Sequence, residues 1–328
     1  MTTKIPLTMA CGDYELVRPL REGKVAVDGV DLTILTDMDS ATRHWRFLRN
    51  GEFDIAEVSG SGYLAARDNN FPFRAIPVFL HRRFRHGFMF INTTKGITSP
   101  ADLKGRKVGV KTLMTTAVLW MRGMLESDYG VPLKSIDWFQ ELDNDVDVTL
   151  PPDLKLTKLA HDKSVETMLA DGEIDALFHS DLIKPFLAGD KRVARLFPDY
   201  KAEEIAWYKK TGIFPIMHVL GLKQSVAEQY PWLAVNLFNA FNEAKAIAMK
   251  RMANPRIVPL AWYREVWEEQ EAILGRDPWE YGLGGSNQKN LEALVGYSHA
   301  QGLIKKKPRL EELFLDVSQG RKRGDFRI

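Results

Sequence analysis

Short apolar runs that alternate with helical patterns constrain this chain more than any other feature. Ile5, Leu7 and Met9 recur at every second position, as a half-buried strand requires. Asp28-Gly29 reads as a turn, and Val30, Leu32 and Ile34 repeat the alternation after it. Pro19 to Gly23 fits one helix between those strands. Ser40 to Arg49 predicts a helix with Trp45 and Leu48 on one side, closed by Gly51, and Asp54 to Val58 predicts the next strand. Phe73 to Leu80 is another apolar run, in which Pro77 points to an edge or a bulge. The middle of the chain repeats the theme. Ser99 to Leu103 reads as a capped short helix and Val108 to Val110 as a strand. Thr115 to Tyr129 reads as a helix with Ala117, Trp120, Met121, Met124 and Leu125 near one face, stopped by Gly130. Ser164 to Ala170 is a further helix, and Ile174 to Phe178 a strand. After Gly221 the pattern turns mostly helical, with a long helix from Pro231 to Asn254-Pro255. Such alternation implies an α/β protein with largely parallel sheets.

Composition enters where it removes alternatives. At roughly 150 residues per domain, 328 residues predict two domains with ample core. Hydrophobic residues at 45% and charged residues at 27% exclude disordered, collagenous and coiled-coil classes. Lys plus Arg total 45 against 43 Asp plus Glu, so no basic excess marks a nucleic-acid binder. The clusters Lys305-Lys306-Lys307 and Arg321-Lys322-Arg323 therefore read as solvated charge. Cys11 is the single cysteine, which excludes an internal disulfide and a multi-cysteine metal site. No apolar run approaches the roughly 18 residues of a membrane helix. The N-terminal apolar stretch holds Pro6 and Thr8 and runs into Asp13 and Glu15, so it reads as a first strand and the expected location is cytoplasmic.

In open α/β sheets ligands sit beyond the carboxyl ends of the strands. Those positions hold Cys11 to Tyr14, Glu57 with Ser59 to Ser61, Lys111 to Thr116, and His179 to Asp181. The densest signal is His81-Arg82-Arg83-Phe84-Arg85-His86, five residues that carry or can carry positive charge among six. Guanidinium groups can hold a carboxylate through paired hydrogen bonds. A solvated hairpin is the plain alternative, and the flanking strands favour a site. Thr115 and Thr116 at a helix start suit an anion, with ordinary capping the plain alternative. His218 lies in the apolar run from Ile213 to Val219, where a core histidine is the commoner outcome. Glu57 could equally be a buried hydrogen-bond hub. His179-Ser180-Asp181 are adjacent and cannot form a hydrolytic triad among themselves by spacing alone. No zinc-protease, phosphate-loop or dinucleotide motif stands in the right place, and no linear spacing declares a metal site, so metal dependence stays open.

Several segments resemble known sequences. Asp102 to Val110 and Gly172 to Leu177 resemble recurring segments of the type II periplasmic-binding-protein fold. More specific are Arg82-Arg83-Phe84-Arg85-His86, Trp120-Met121-Arg122-Gly123, Tyr129-Gly130-Val131, Thr211 to His218, Pro231-Trp232-Leu233 and Trp279-Glu280-Tyr281-Gly282 with Asn287. In this order they resemble the 4,5-dihydroxyphthalate decarboxylase family, over nearly the whole chain. The resemblance implies a two-lobed type II periplasmic-binding-protein-like α/β fold with a ligand cleft between the lobes. Lobe 1 would comprise residues 1–90 and 219–328, and lobe 2 residues 91–218, with crossings near Gly87 to Asn92 and Phe214 to Gly221. Arg82, Arg85 and His86 are carried over from the family pattern, and Glu57, Ser59, Thr116 and His218 also match family segments. Lys111-Thr112-Leu113 and His179 to Ile183 depart from it, so the ring substituents are left open.

The implied activity is non-oxidative decarboxylation of a hydroxylated aromatic acid, with 4,5-dihydroxyphthalate going to 3,4-dihydroxybenzoate and CO2. Protonating the carboxyl-bearing ring carbon avoids an aryl carbanion, and this route needs no organic cofactor. His86, His218, Glu57 and Arg85 are the expected catalytic residues. Arg82, Asp13, Ser59, Thr115, Thr116 and His179 are the expected substrate contacts. The expected partner is a small aromatic carboxylate, with no nucleic acid and no membrane, and self-association is left open. The competing reading is a cytosolic or exported binding protein for an aromatic carboxylate. A third is another cytoplasmic enzyme on the same lobes, such as a chorismate-type dehydratase or a pyrimidine-forming enzyme.

Overall fold

The first alternation becomes β1 (Ile5–Ala10), which buries Leu7 and Met9 and lies parallel to β2 (Val30–Leu35), with Ile5 opposite Val30 and Ala10 opposite Leu35. The computed structural model describes residues 4–319. The cluster Arg321-Lys322-Arg323 lies outside the described residues. β3 (Ile55–Ser59), β4 (Phe73–Ile76) and β11 (His218–Lys223) complete a first sheet in the order β2-β1-β3-β11-β4. Pro77 directly follows β4, an edge strand, where a missing N–H disrupts no ladder.

The second sheet runs β10-β5-β9-β6-β7-β8. Its strands are β5 (Met89–Asn92), β6 (Lys107–Val110), β7 (Asp137–Gln140), β8 (Leu156–Lys158), β9 (Ala176–Phe178) and β10 (Val193–Arg195). Both sheets are mixed. In each, one strand that has crossed from the other sheet is antiparallel to both its neighbours: β11 against β3 and β4, and β5 against β9 and β10. A chain that arrives from the opposite lobe enters its sheet from the far end, which is why the expected parallel order breaks there.

The two crossings lie side by side. Arg82 bridges Ile216 in antiparallel fashion, Met217 N–H donates to the His81 carbonyl (2.9 Å), and Arg83 N–H donates to the Pro215 carbonyl (3.1 Å). The first crossing therefore precedes the expected Gly87 to Asn92, a stretch that ends in β5. Met89 and Phe90 stand in the second sheet, and His218 opens β11 of the first.

Helices cover both sheets: α1 (Arg18–Arg21), α2 (Ser40–Asn50), α3 (Gly60–Asp68), α4 (Thr116–Ser127), α5 (Val165–Asp171), α6 (Lys184–Leu187) and α7 (Tyr200–Thr211). After β11 come α8 (Gln224–Gln229), α9 (Leu233–Met252), α10 (Tyr263–Leu274), α11 (Ser286–Ala300) and α12 (Leu310–Leu313). In α2 the Asp39 carboxylate accepts from Thr42 N–H, and Gly51 ends the helix at φ 56°, a left-handed conformation that glycine adopts without strain. Its buried stripe corrects the sequence reading. Trp45 is 49% exposed, and Arg43, His44, Phe47 and Leu48 face inward. Arg43 tolerates the apolar stripe because Glu57 partners it inside, and His44 packs edge-on against another ring. α4 is buried along almost its whole length and joins the halves: Trp120 Nε1 donates to the Ile216 carbonyl (2.9 Å), and Gln301 donates to the Leu119 carbonyl (3.0 Å).

Candidate active site

Glu57 sits in the middle of β3, a strand buried throughout. Its carboxylate has four partners. Arg43 Nη2 and Gly12 N–H reach Oε2, both at 2.8 Å, while the Tyr14 hydroxyl (2.9 Å) and His218 Nδ1 (2.7 Å) reach Oε1. Register explains the histidine. His218 pairs with Ser59, so it shares a sheet face with Glu57 two residues along. Arg43 comes from α2, and its Nε also donates to the Glu57 carbonyl (3.2 Å). The loop after β1 supplies Gly12 and Tyr14. Three elements of the first sheet and the helix behind it thus converge on one carboxylate.

Electrostatics follow from this geometry. Burial opposes the charge on Glu57, but His218, Arg43 and the Gly12 N–H outweigh it and hold the carboxyl well below the usual carboxylate range. Burial and the nearby Glu57 push the Tyr14 phenol upward. Burial, with Glu57 adding to it, raises the Cys11 thiol to about 12, so it stays protonated and is no nucleophile. The His218 ring meets the His81 ring edge-on at 4.7 Å and the His44 ring at 4.8 Å. Burial, then His218 and Arg85, lower His81 to about 2, and burial with His218 and Arg43 depresses His44 strongly. The cluster is therefore one ionised carboxylate, one buried guanidinium and three imidazoles, two of them held neutral.

The other expected residues take separate places. Ser59 Oγ bonds Thr116 Oγ1 across the halves (2.7 Å), and Ser61 joins them (2.9 Å to Thr116). Thr115 instead pairs with Thr112 (3.1 Å). Asp13 points outward, with its side chain 64% exposed and paired to Arg21. Arg82 and Arg85 are both buried, not splayed into water. Arg82 is tied to Asn287 Oδ1 and to the Glu280 and Phe214 carbonyls. Arg85 donates to the Ser180 carbonyl (2.8 Å) and to the Met217 sulfur (3.0 Å). His179 accepts at Nδ1 from Asp181 N–H (3.1 Å). His86 is fully buried among Tyr129, Phe197 and Trp207, at 5.2–6.1 Å between ring centres, and neither of its nitrogens has a hydrogen-bond partner.

The structure thus joins Glu57 to His218, and Ser59 to Thr116. It adds Arg43 and His44, which the sequence reading did not select, and Tyr14 and His81, which lay in candidate segments of the sequence without an assigned role. Arg43 and His44 carried a signal, since each stands four residues before an apolar partner, Phe47 and Leu48, on the stripe of α2. Among the described residues, no group of three or more His, Cys, Asp or Glu side chains is placed to hold a metal, and no helix is long and apolar enough to cross a membrane.

Comparisons with known proteins agree with this architecture. The family described as "ABC transporter, phosphonate, periplasmic substrate-binding protein" matches residues 27–188. Among solved structures, a putative periplasmic sulfonate-binding protein from Methylobacillus flagellatus aligns with a TM-score of 0.56 at 14% identity, covering 96% of this chain and 92% of that one. The alkanesulfonate-binding protein of Xanthomonas axonopodis pv. citri aligns with a TM-score of 0.55 at 14% identity, covering 96% and 99%. These establish the periplasmic-binding-protein-like fold. A 4,5-dihydroxyphthalate decarboxylase of Pseudomonas putida is 33% identical over 213 residues, 63% of this chain and 82% of the relative. One of Comamonas testosteroni is 34% identical over 325 residues, 96% of this chain and 98% of the relative. Identity at that level over almost the full length of both chains means that this protein belongs to the 4,5-dihydroxyphthalate decarboxylase family.

Proposed function

We propose that the protein is a carboxy-lyase that removes CO2 from a hydroxylated aromatic acid without oxidation, with 4,5-dihydroxyphthalate as substrate and 3,4-dihydroxybenzoate as product. The relatives of that name support the reaction class. The observation that carries it on this chain is the His218–Glu57 pair at 2.7 Å, buried and held by Arg43.

The reaction needs a proton delivered to carbon. Direct loss of CO2 would leave an aryl carbanion. When the hydroxyl para to the carboxylate gives up its proton, electron density moves to the carboxyl-bearing carbon. A proton from His218 then forms the C–H bond there, and the ring becomes a dienone. The C–C bond breaks, its electron pair restores the aromatic ring, and CO2 leaves. The phenol recovers its proton, and one solvent proton per turnover recharges His218. Glu57 fixes the ring orientation through Nδ1 and stabilises the imidazolium, which leaves Nε2 to act. Electrostatic support from Glu57 costs no reorganisation during reaction, because its four hydrogen bonds are already made. The route calls for no organic cofactor, and a cytoplasmic location suits a catabolic enzyme of this kind.

Incubating the purified protein with 4,5-dihydroxyphthalate, while following CO2 and 3,4-dihydroxybenzoate, tests the reading. Stoichiometric release of both upholds it. Saturable binding with no product would make the protein a binding protein for aromatic carboxylates.

A further inference from the structure

The first crossing sorts its side chains by parity. Arg82 bridges Ile216, Met217 N–H donates to the His81 carbonyl and Arg83 N–H donates to the Pro215 carbonyl, so residues 81–83 run extended against the second crossing. Successive side chains of an extended strand point to opposite faces. On one face Arg82 turns to Asn287, and Phe84 to the rings of Trp207 and Phe214. On the other, His81 meets the His218 ring at 4.7 Å, and Arg83 reaches the loop after β9, where Asp181 lies 3.8 Å away. Arg83 thus shares a face with His81 and extends from the imidazoles of the first sheet toward the rim of the second. The carboxyl ends of strands such as β9 are where ligands of these sheets sit.

Availability separates Arg83 from the neighbouring guanidinium groups. Arg43 holds Glu57, and Arg82 and Arg85 are buried with carbonyls, an amide and a sulfur as partners. The Arg83 side chain is 47% exposed, and its pair with the exposed Asp181 is loose enough for a ligand carboxylate to replace. The guanidinium lies over the Phe88 ring, 4.9 Å from its centre, which fixes its plane. A guanidinium stacked in this way keeps its N–H edges for the paired hydrogen bonds that suit a carboxylate. Its charge also reaches His81, whose protonation it disfavours.

We propose that Arg83 holds the carboxylate that the product retains, and so selects an aromatic ring with a second carboxylate beside the one that leaves. The inference rests on the decarboxylase reading. The ring carbon that takes the proton and the carbon that bears the retained carboxylate are neighbours, so an anchor at Arg83 decides which carbon faces His218. His81 and Arg83 start about 6.5 Å apart, as residues two apart on an extended strand do, and a benzene ring bearing a carboxylate can span that distance.

Inhibition by 3,4-dihydroxybenzoate and by catechol tests the anchor, because catechol differs from the product only in lacking the carboxylate. In Arg83→Ala, KM for 4,5-dihydroxyphthalate and the inhibition constant of 3,4-dihydroxybenzoate should each rise by about 10- to 100-fold, while that of catechol stays within about threefold. Arg83→Lys, which keeps the charge without the paired N–H groups, should fall between Arg83→Ala and the wild type. Arg309→Ala, which removes an exposed arginine beside α12, should leave all three constants unchanged. Unchanged constants for both carboxylates in Arg83→Ala would overturn the anchor. An equal loss for catechol would overturn it too, since the arginine would then only support the fold. Should the wild-type protein release no CO2, calorimetry with 3,4-dihydroxybenzoate separates the two ideas. Weaker binding by Arg83→Ala than by the wild type would uphold the anchor while the decarboxylase reading falls. Equal binding by both proteins would overturn the anchor as well.

Discussion

Two buried histidines frame the molecule differently. His218 has a carboxylate at 2.7 Å and two further imidazoles against its ring, one of which, His81, lines a cavity. His86 has three aromatic rings around it and no hydrogen bond to either nitrogen. Both come from segments that match the family pattern, and both are buried. The difference lies in wiring. A proton can be held, oriented and passed only where a charged partner fixes one nitrogen, and that condition is met at His218. The same contrast applies to the arginines. Arg43 supports the charge of Glu57, whereas Arg82 and Arg85 donate to carbonyls, an amide and a sulfur.

The widest gap should appear in turnover. His218→Asn should lower kcat by about 10²- to 10⁴-fold, with folding shown intact by circular dichroism. His86→Asn should leave kcat within about threefold, and a large loss there would break the contrast. Stability should separate the regions next. Glu57→Ala strands Arg43 as an unpaired buried charge and should cost about 3–5 kcal/mol in urea denaturation. A loss below about 1 kcal/mol would mean that Arg43 has another partner.

Acid sensitivity sharpens the comparison further. Burial lowers His86 to about 4 in the folded state. An unfolded histidine takes up its proton near pH 6.5, as an ordinary imidazole does. Between about pH 6.5 and 4 the unfolded state therefore binds more protons at this site, and stability falls as pH falls. Replacing the ring by His86→Phe should flatten that part of the stability profile without reducing neutral-pH activity. A profile that matches the wild type would place the acid sensitivity elsewhere. On stability, Arg83→Ala should give the smallest effect. Its side chain is exposed and lies 3.8 Å from an exposed Asp181, so stability should stay within about 0.5 kcal/mol.

Much of the fold was legible because strands and helices carry their own periodicity. β1, β2, α2 and α4 fall within a residue or two of the expected spans, and Gly51 closes α2 as its position requires. The antiparallel β11 and β5 were not legible, since local pattern says nothing about the end from which a strand enters its sheet. Within the site, Glu57 and His218 could be selected by strand position and family match. Their contact depends on register across 161 residues of sequence, which no local pattern contains. Arg43 and His44 hid in an apolar stripe that Trp45 was expected to share. The basic run His81 to His86 was singled out for its charge, yet His81, with no charge in the folded protein, stands beside His218. Burial had inverted the signal.

The most direct measurement is proton exchange into the product. 3,4-Dihydroxybenzoate incubated with the protein in D2O should take up one deuterium at the ring carbon para to its 3-hydroxyl, the position a departing carboxylate would have held. His218→Asn should abolish this exchange. Exchange that persists in His218→Asn, with decarboxylation intact, would contradict proton delivery by the imidazole that Glu57 holds.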